Sequence, residues 1–158
     1  MLTSVAACGG LRIRSPIQTG PDAKPAAAQA NANPPQTFVR STSDGRTTRV
    51  LDVREGMAKD VLFKTVSDAL SAKFTVYVSD ARAGFLMTNW QTGVRAGVPD
   101  LRYRSRLIVR FLGDDWKQLA VQSEANWQQG EEWDIGYDVE QLAAVAVELN
   151  NKVGKKPN

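Results

Sequence analysis

The stretch from Leu101 to Gln128 constrains the fold more than any other part of the chain. Leu101, Tyr103, Ser105, Leu107, Val109 and Phe111 alternate with Arg102, Arg104, Arg106 and Arg110, and only Ile108 breaks the polar row. Gly113-Asp114-Asp115 is a turn signature. From Lys117 the alternation resumes, with Leu119, Val121, Ala125 and Trp127 set against Gln118, Gln122, Glu124 and Asn126. A period of two sends the sets to opposite faces, so this is an antiparallel hairpin with one buried and one wet face. A buried sheet face needs a cover.

Two segments with helical spacing supply that cover. In 57–72, Val61, Leu62, Val66, Ala69 and Leu70 fall on one side and Lys59, Asp60, Lys64 and Asp68 mostly on the other. From about Asp138 to Val153, the residues Leu142, Val145, Ala146 and Leu149 form an inner stripe. Thr48–Val53, Phe74–Val78 and Phe85–Trp90 are rich in β-branched and aromatic residues and read as strands, with Asp80–Gly84 a turn. Residues 91–100, with Gly93, Gly97, Pro99 and Asp100, read as a long mobile loop. The expected fold is α+β: a two-layer sandwich of an antiparallel sheet with two helices on one face, in the order β-α-β-β-β-β-α.

Composition places the boundaries. Residues 9–45 are rich in Ala, Pro, Asn, Gln, Gly, Ser and Thr, with Pro21, Pro25, Pro34 and Pro35 interrupting any helix. Such a segment buries too little apolar surface to offset the entropy of ordering it, and reads as a disordered linker. The globular domain is expected over 46–153, followed by a solvated tail at 154–158. Residues 1–113 hold 16 Lys/Arg and 8 Asp/Glu, while 114–158 hold 4 and 9, so the chain is basic first and acidic last.

Several chemistries are excluded by composition. There is no histidine, which removes the commonest general base, the commonest zinc ligand and every Ser-His or Cys-His pair. One cysteine permits neither an internal disulfide nor a multi-cysteine metal site. No GxGxxG or GxxxxGK[ST] spacing implies a nucleotide loop. Asp114-Asp115 and Glu131-Glu132 read as solvated turn residues rather than an acid–base pair. No cofactor and no metal are expected.

Two features point to binding. Alternate positions on one strand place Arg102, Arg104, Arg106 and Arg110 about 6.6–7 Å apart, a spacing suited to phosphate or carboxylate groups. The plainer reading is a wet face paired across the hairpin with acids such as Glu124. Tyr103 and Phe111 lie on the opposite face, which weighs against a nucleic-acid platform. Trp127 follows the inward alternation and reads as core. Trp133, in an acidic loop before the last helix, reads as a lid on the core edge or as an interface anchor.

The N-terminal run Leu2-Thr3-Ser4-Val5-Ala6-Ala7-Cys8-Gly9 resembles the lipobox of bacterial lipoproteins. The resemblance implies removal of residues 1–7 and a diacylglyceryl group on Cys8. Gly9 after the cysteine, rather than Asp, is similar to lipoproteins that reach the outer membrane. Ala69 to Thr88, with its helix, Phe74-Thr75-Val76, Asp80, Gly84 and an apolar-polar strand, resembles the helix-grip domains of the outer-membrane assembly lipoprotein BamC (the NlpB/DapX type). That resemblance is close over these residues and otherwise rests on element order. Together they imply a non-enzymatic envelope lipoprotein, lipid-anchored on the periplasmic face of the outer membrane and acting through contacts with an envelope protein. Two alternatives stay open. One is an apolar-ligand or lipid-binding module with a pocket lined by Phe85, Met87, Leu107 and Trp127. The other is a soluble nucleic-acid binder using the basic strand; the acidic last third and the export signal favour no nucleic-acid partner. Oligomeric state is not legible.

Overall fold

The computed structural model describes residues 33–41 and 47–156. Cys8, the parts of the expected linker before 33 and at 42–45, and residue 46 at the expected start of the domain lie outside the described residues. The strands are β1 (Phe38–Arg40), β2 (Thr48–Asp52), β3 (Val76–Asp80), β4 (Phe85–Thr88), β5 (Gln91–Arg95), β6 (Val98–Leu112), β7 (Gln118–Gln129) and β8 (Glu132–Asp138). The helices are α1 (Lys59–Ser71), between β2 and β3, and α2 (Val139–Val153), after β8.

The expected sandwich of order β-α-β-β-β-β-α is overturned. The chain runs β-β-α-β-β-β-β-β-β-α and builds one eight-stranded antiparallel sheet. Its spine is the predicted hairpin, β6 with 15 residues and β7 with 12, paired from Tyr103↔Trp127 to Leu112↔Gln118. Each spine strand is long enough to carry two neighbours on its outer edge. β7 pairs with β2 at one end and β8 at the other, and β6 with β4 and β5 likewise. β3 and β1 complete the two sides.

Three strands escaped the sequence reading. β5 lies in the expected loop, because Gln91-Thr92-Gly93-Val94-Arg95 carries too little apolar alternation to announce a strand. β8 includes Trp133, expected in a loop; its outward Trp133 and Ile135 are interspersed with acids and Gly136, and Tyr137 packs against the main core. β1 lies upstream of the expected boundary at 46 and is too short to show any period. It docks because residue 136 is glycine. A Cβ there would lie 2.1 Å from the Val39 carbonyl oxygen and 2.8 Å from the Phe38 ring.

Both helices drop their apolar stripes into one core. Leu62, Phe63, Val66 and Leu70 of α1 and Leu142, Val145, Leu149 and Val153 of α2 meet Leu86, Leu107, Val109, Phe111, Leu119 and Val121 of the sheet. Val61, expected on the inner side of α1, is exposed, and Phe63 takes its place. The predicted Leu142, Val145, Ala146 and Leu149 stripe of α2 is buried. Where β4 stops pairing, the buried Thr88 hydroxyl accepts from Leu107 N at 2.9 Å and replaces a ladder bond.

A second, smaller cluster of Phe38, Tyr103, Ala125 and Trp127 fills the same face beyond the helices. Asp138 locks it to α2. Its carboxylate accepts from Tyr103 Oη at 2.5 Å, Thr37 Oγ1 at 3.1 Å and Gln141 N at 2.8 Å, the last being the N-cap bond of α2. Burial and the Asp138 bond push the Tyr103 phenol above its usual range, so it stays a neutral donor.

The β5–β6 connection is a two-residue turn closed by Arg95↔Val98, with positive φ at Ala96 (50°) and Gly97 (80°). This is the backbone of a type I′ hairpin, which favours Asn-Gly. Alanine is strained in the left-handed region, where asparagine is tolerated. Ala96→Asn is therefore expected to stabilise the fold by about 0.5–1 kcal/mol in urea titration. Destabilisation would contradict this account of the turn.

Candidate binding face

Directly opposed residues share a face of a sheet, so the register assigns the candidate site. Arg104 lies opposite Asn126, Arg106 opposite Glu124, and Arg110 opposite Ala120 on one side and Phe85 on the other. All point away from the helices. The sequence expectation of a simple arginine row is only partly met. Arg104, Arg106 and Arg110 belong to the outer face, but Arg102 is drawn aside. Its Nε lies 3.4 Å from Asp100 Oδ1, and its guanidinium sits 4.8 Å from the Trp127 ring centre.

The outer face is also aromatic. The Arg104 guanidinium carbon lies 4.7 Å from the Trp90 ring centre and 4.6 Å from that of Trp133, between two indoles. Arg106 sits 4.5 Å from the Trp90 ring centre, and its Nη2 and Nε lie 2.6 and 2.7 Å from Glu124 Oε2. Arg110 lies 5.3 Å from the Phe85 ring centre. The guanidinium plane is well suited to stacking on aromatic rings. The order Trp133, Arg104, Trp90, Arg106, Glu124 therefore runs across three strands and the β4–β5 connection.

Charge balance differs along the face. Arg106 is neutralised by Glu124, the pairing anticipated from the sequence. Among the described residues, Arg104 and Arg110 make no salt bridge, and Arg104 Nε is buried without a hydrogen-bond partner. Two held guanidiniums thus keep free donors for an incoming acceptor. At the β6–β7 turn, the hydrogen bond from Lys117 holds the Asp115 carboxyl below its usual range and raises the Lys117 ammonium, both in open solvent.

No protein-family model matches the chain, and no curated protein does. Trp133 is on the outer face, half-exposed and stacked on Arg104, and does not lie over the core. Trp127 is core, as read. Phe85, read as pocket lining, stands on the outer face, and Trp90 was missed for a geometric reason. β4 pairs Met87↔Ile108, whereas β5 starts at Gln91↔Ser105, so one extra residue enters between them and the alternation inverts. Trp90, inward by simple alternation with Leu86 and Thr88, is carried to the outer face.

The expected ligand pocket does not assemble. Phe85 and Met87 oppose Arg110 and Ile108 on the outer face, while Leu107 and Trp127 are buried on the inner one. A cleft of about 720 Å³ opens at the other end of the sheet, floored by Phe63, Phe111 and Trp116 and rimmed by Lys59, Lys64, Arg82, Asp60 and Asp114. Among the described residues, no group of three or more Cys, Asp or Glu is gathered for a metal, and no helix is long and apolar enough to cross a membrane.

Proposed function

We propose that this chain is a non-enzymatic envelope lipoprotein, anchored at the periplasmic face of the outer membrane by a lipid on Cys8. Its domain engages a protein partner through the outer Arg–Trp face. One observation carries the proposal: Arg104 is clamped between Trp90 and Trp133 with no acid paired to it. Arginine and tryptophan are the residues most enriched at interface hot spots, and a clamped side chain loses little entropy on binding. The complementary partner surface presents carboxylates or backbone carbonyls beside an apolar patch.

Reversing Arg104→Glu and Arg106→Glu together is expected to weaken partner binding at least about thirtyfold in pull-down and titration, with melting preserved. Unchanged binding would remove this face from the account. A second reading rests on the same interleaving of tryptophan with arginine, which suits single-stranded nucleic acid. It requires oligothymidylate binding that falls steeply with salt. Glu124 on Arg106, and Glu131 and Glu132 nearby, weigh against it.

A further inference from the structure

The tip of the β5–β6 hairpin gathers apolar side chains that nothing covers. Leu101 is 77% exposed, Val94 70% and Val98 62%, three of the most exposed large apolar residues in the described chain. They stand on both faces of the tip, Val94 opposite Pro99 on one and Val98 opposite Arg95 on the other, and the pairing changes just behind them. β7 takes no partner before Tyr103, and the β5–β6 register jumps from Thr92↔Arg104 to Gly93↔Asp100. Leu101, Arg102 and Tyr103 are the surplus on β6, so Leu101 leaves the row that its sequence neighbours follow. A hairpin tip that leaves large apolar side chains in solvent is a candidate interaction site.

The charges around the tip choose the occupant. From Gln91 to Arg104 the chain holds Arg95, Arg102 and Arg104 and a single acid, Asp100. Asp100 is buried between two of these arginines, 3.2 Å from Arg95 Nε and 3.4 Å from Arg102 Nε. Arg102 is mostly buried against Asp100 and Trp127, so the half-exposed Arg95 is the cation behind the apolar tip, an arrangement that places apolar groups among acyl chains and a guanidinium among phosphates. Chain connectivity agrees. Arg95 Nη2 donates to the Asn33 carbonyl at 2.7 Å, so the segment that leads from Cys8 enters the described domain beside this hairpin.

We propose that the β5–β6 tip, through Val94, Val98 and Leu101, seats in the interface of an anionic lipid surface, with the half-exposed Arg95 toward the headgroup phosphates. The orientation implied rests on the lipid-anchor reading of Cys8, but the contact itself needs no lipid on the protein. It is a weak contact that orients the domain against the membrane, leaving the Arg–Trp face for the partner.

The test uses the full chain carrying Cys8→Ser, so that no acyl group contributes, sedimented with vesicles of 30% phosphatidylglycerol in phosphatidylcholine. The chain is expected to bind these vesicles and to bind pure phosphatidylcholine several-fold less. Val94→Ser, Val98→Ser and Leu101→Ser together are expected to reduce binding at least about tenfold, since three apolar side chains leave the interface. Val50→Ser with Val147→Ser, also exposed but away from the tip, is expected to bind as the parent does. Absence of parent binding, or equal binding by the tip variant, overturns the proposal. Tip-dependent self-association without vesicles overturns it in favour of a second copy as the occupant. Intact mass of the wild-type chain from envelope membranes tests Cys8 separately. An unlipidated Cys8 with tip-dependent vesicle binding would sink the lipoprotein reading alone.

Discussion

Asp138→Ala is expected to destabilise the domain by about 3–4 kcal/mol, the largest loss from any single polar substitution among the described residues. Three donors converge on this one carboxylate: the Tyr103 hydroxyl, the Thr37 hydroxyl and the Gln141 amide. The cap bond alone is worth about 1 kcal/mol. Hydrogen bonds to a charged acceptor are worth about 1.5–3 kcal/mol each, and a buried donor left unpaired adds its desolvation cost. The effects are not additive, because losing one partner lets the others shift. Asp138 also ties three separate pieces together: the segment before β1, the smaller core cluster and the start of α2. Asp138→Asn keeps an oxygen for the cap and is expected to cost about half as much. Thermal and urea unfolding read both. A loss below about 1 kcal/mol for Asp138→Ala would mean that these bonds do not hold the second cluster to the helix.

Leu107→Ala and Leu101→Ala should differ by at least about 2 kcal/mol, although the two leucines sit in one apparent row of the sequence. Leu107 is fully buried among the side chains of α1, α2 and the sheet. Its truncation removes transfer energy and leaves a cavity, at about 2–5 kcal/mol. Leu101 stands in solvent beyond the register jump, and exposed positions change stability by about 0.5 kcal/mol or less. Equal losses in urea unfolding would contradict the bulge. They would restore the uniform alternation suggested by the sequence.

That pair shows how far the sequence could be read. The spine was legible because β6 and β7 keep their alternation through ten opposed pairs, from Tyr103↔Trp127 to Leu112↔Gln118. The helices were legible because each has one apolar stripe. The flanking strands were not, since pairing supplies what their composition lacks. β5 is held by β6 despite Gly93, and β1 by the absence of a side chain at Gly136. The site was half legible for the same reason. Arg104, Arg106 and Arg110 follow from alternation on one strand. Their aromatic neighbours arrive from β8, from β4 and from a connection whose extra residue turns Trp90 outward. A face assembled across strands depends on register, and register shifts of one residue leave no mark in composition.

The proposed function rests on that assembled face. Arg104 and Trp133 were each visible as candidates, but only the fold shows them in contact with each other and with Trp90. The most direct test places a photo-reactive residue, one position at a time, in the native cell: at Gln128 and Ile135 on the outer face beside Trp133, and at Ala81 and Val147 elsewhere. The account predicts one and the same protein adduct from positions 128 and 135, lost when Arg104→Glu is added, and none from 81 or 147. Adducts from 81 or 147 alone, or none from 128 and 135, would contradict a partner surface built on the arginine and tryptophan side chains.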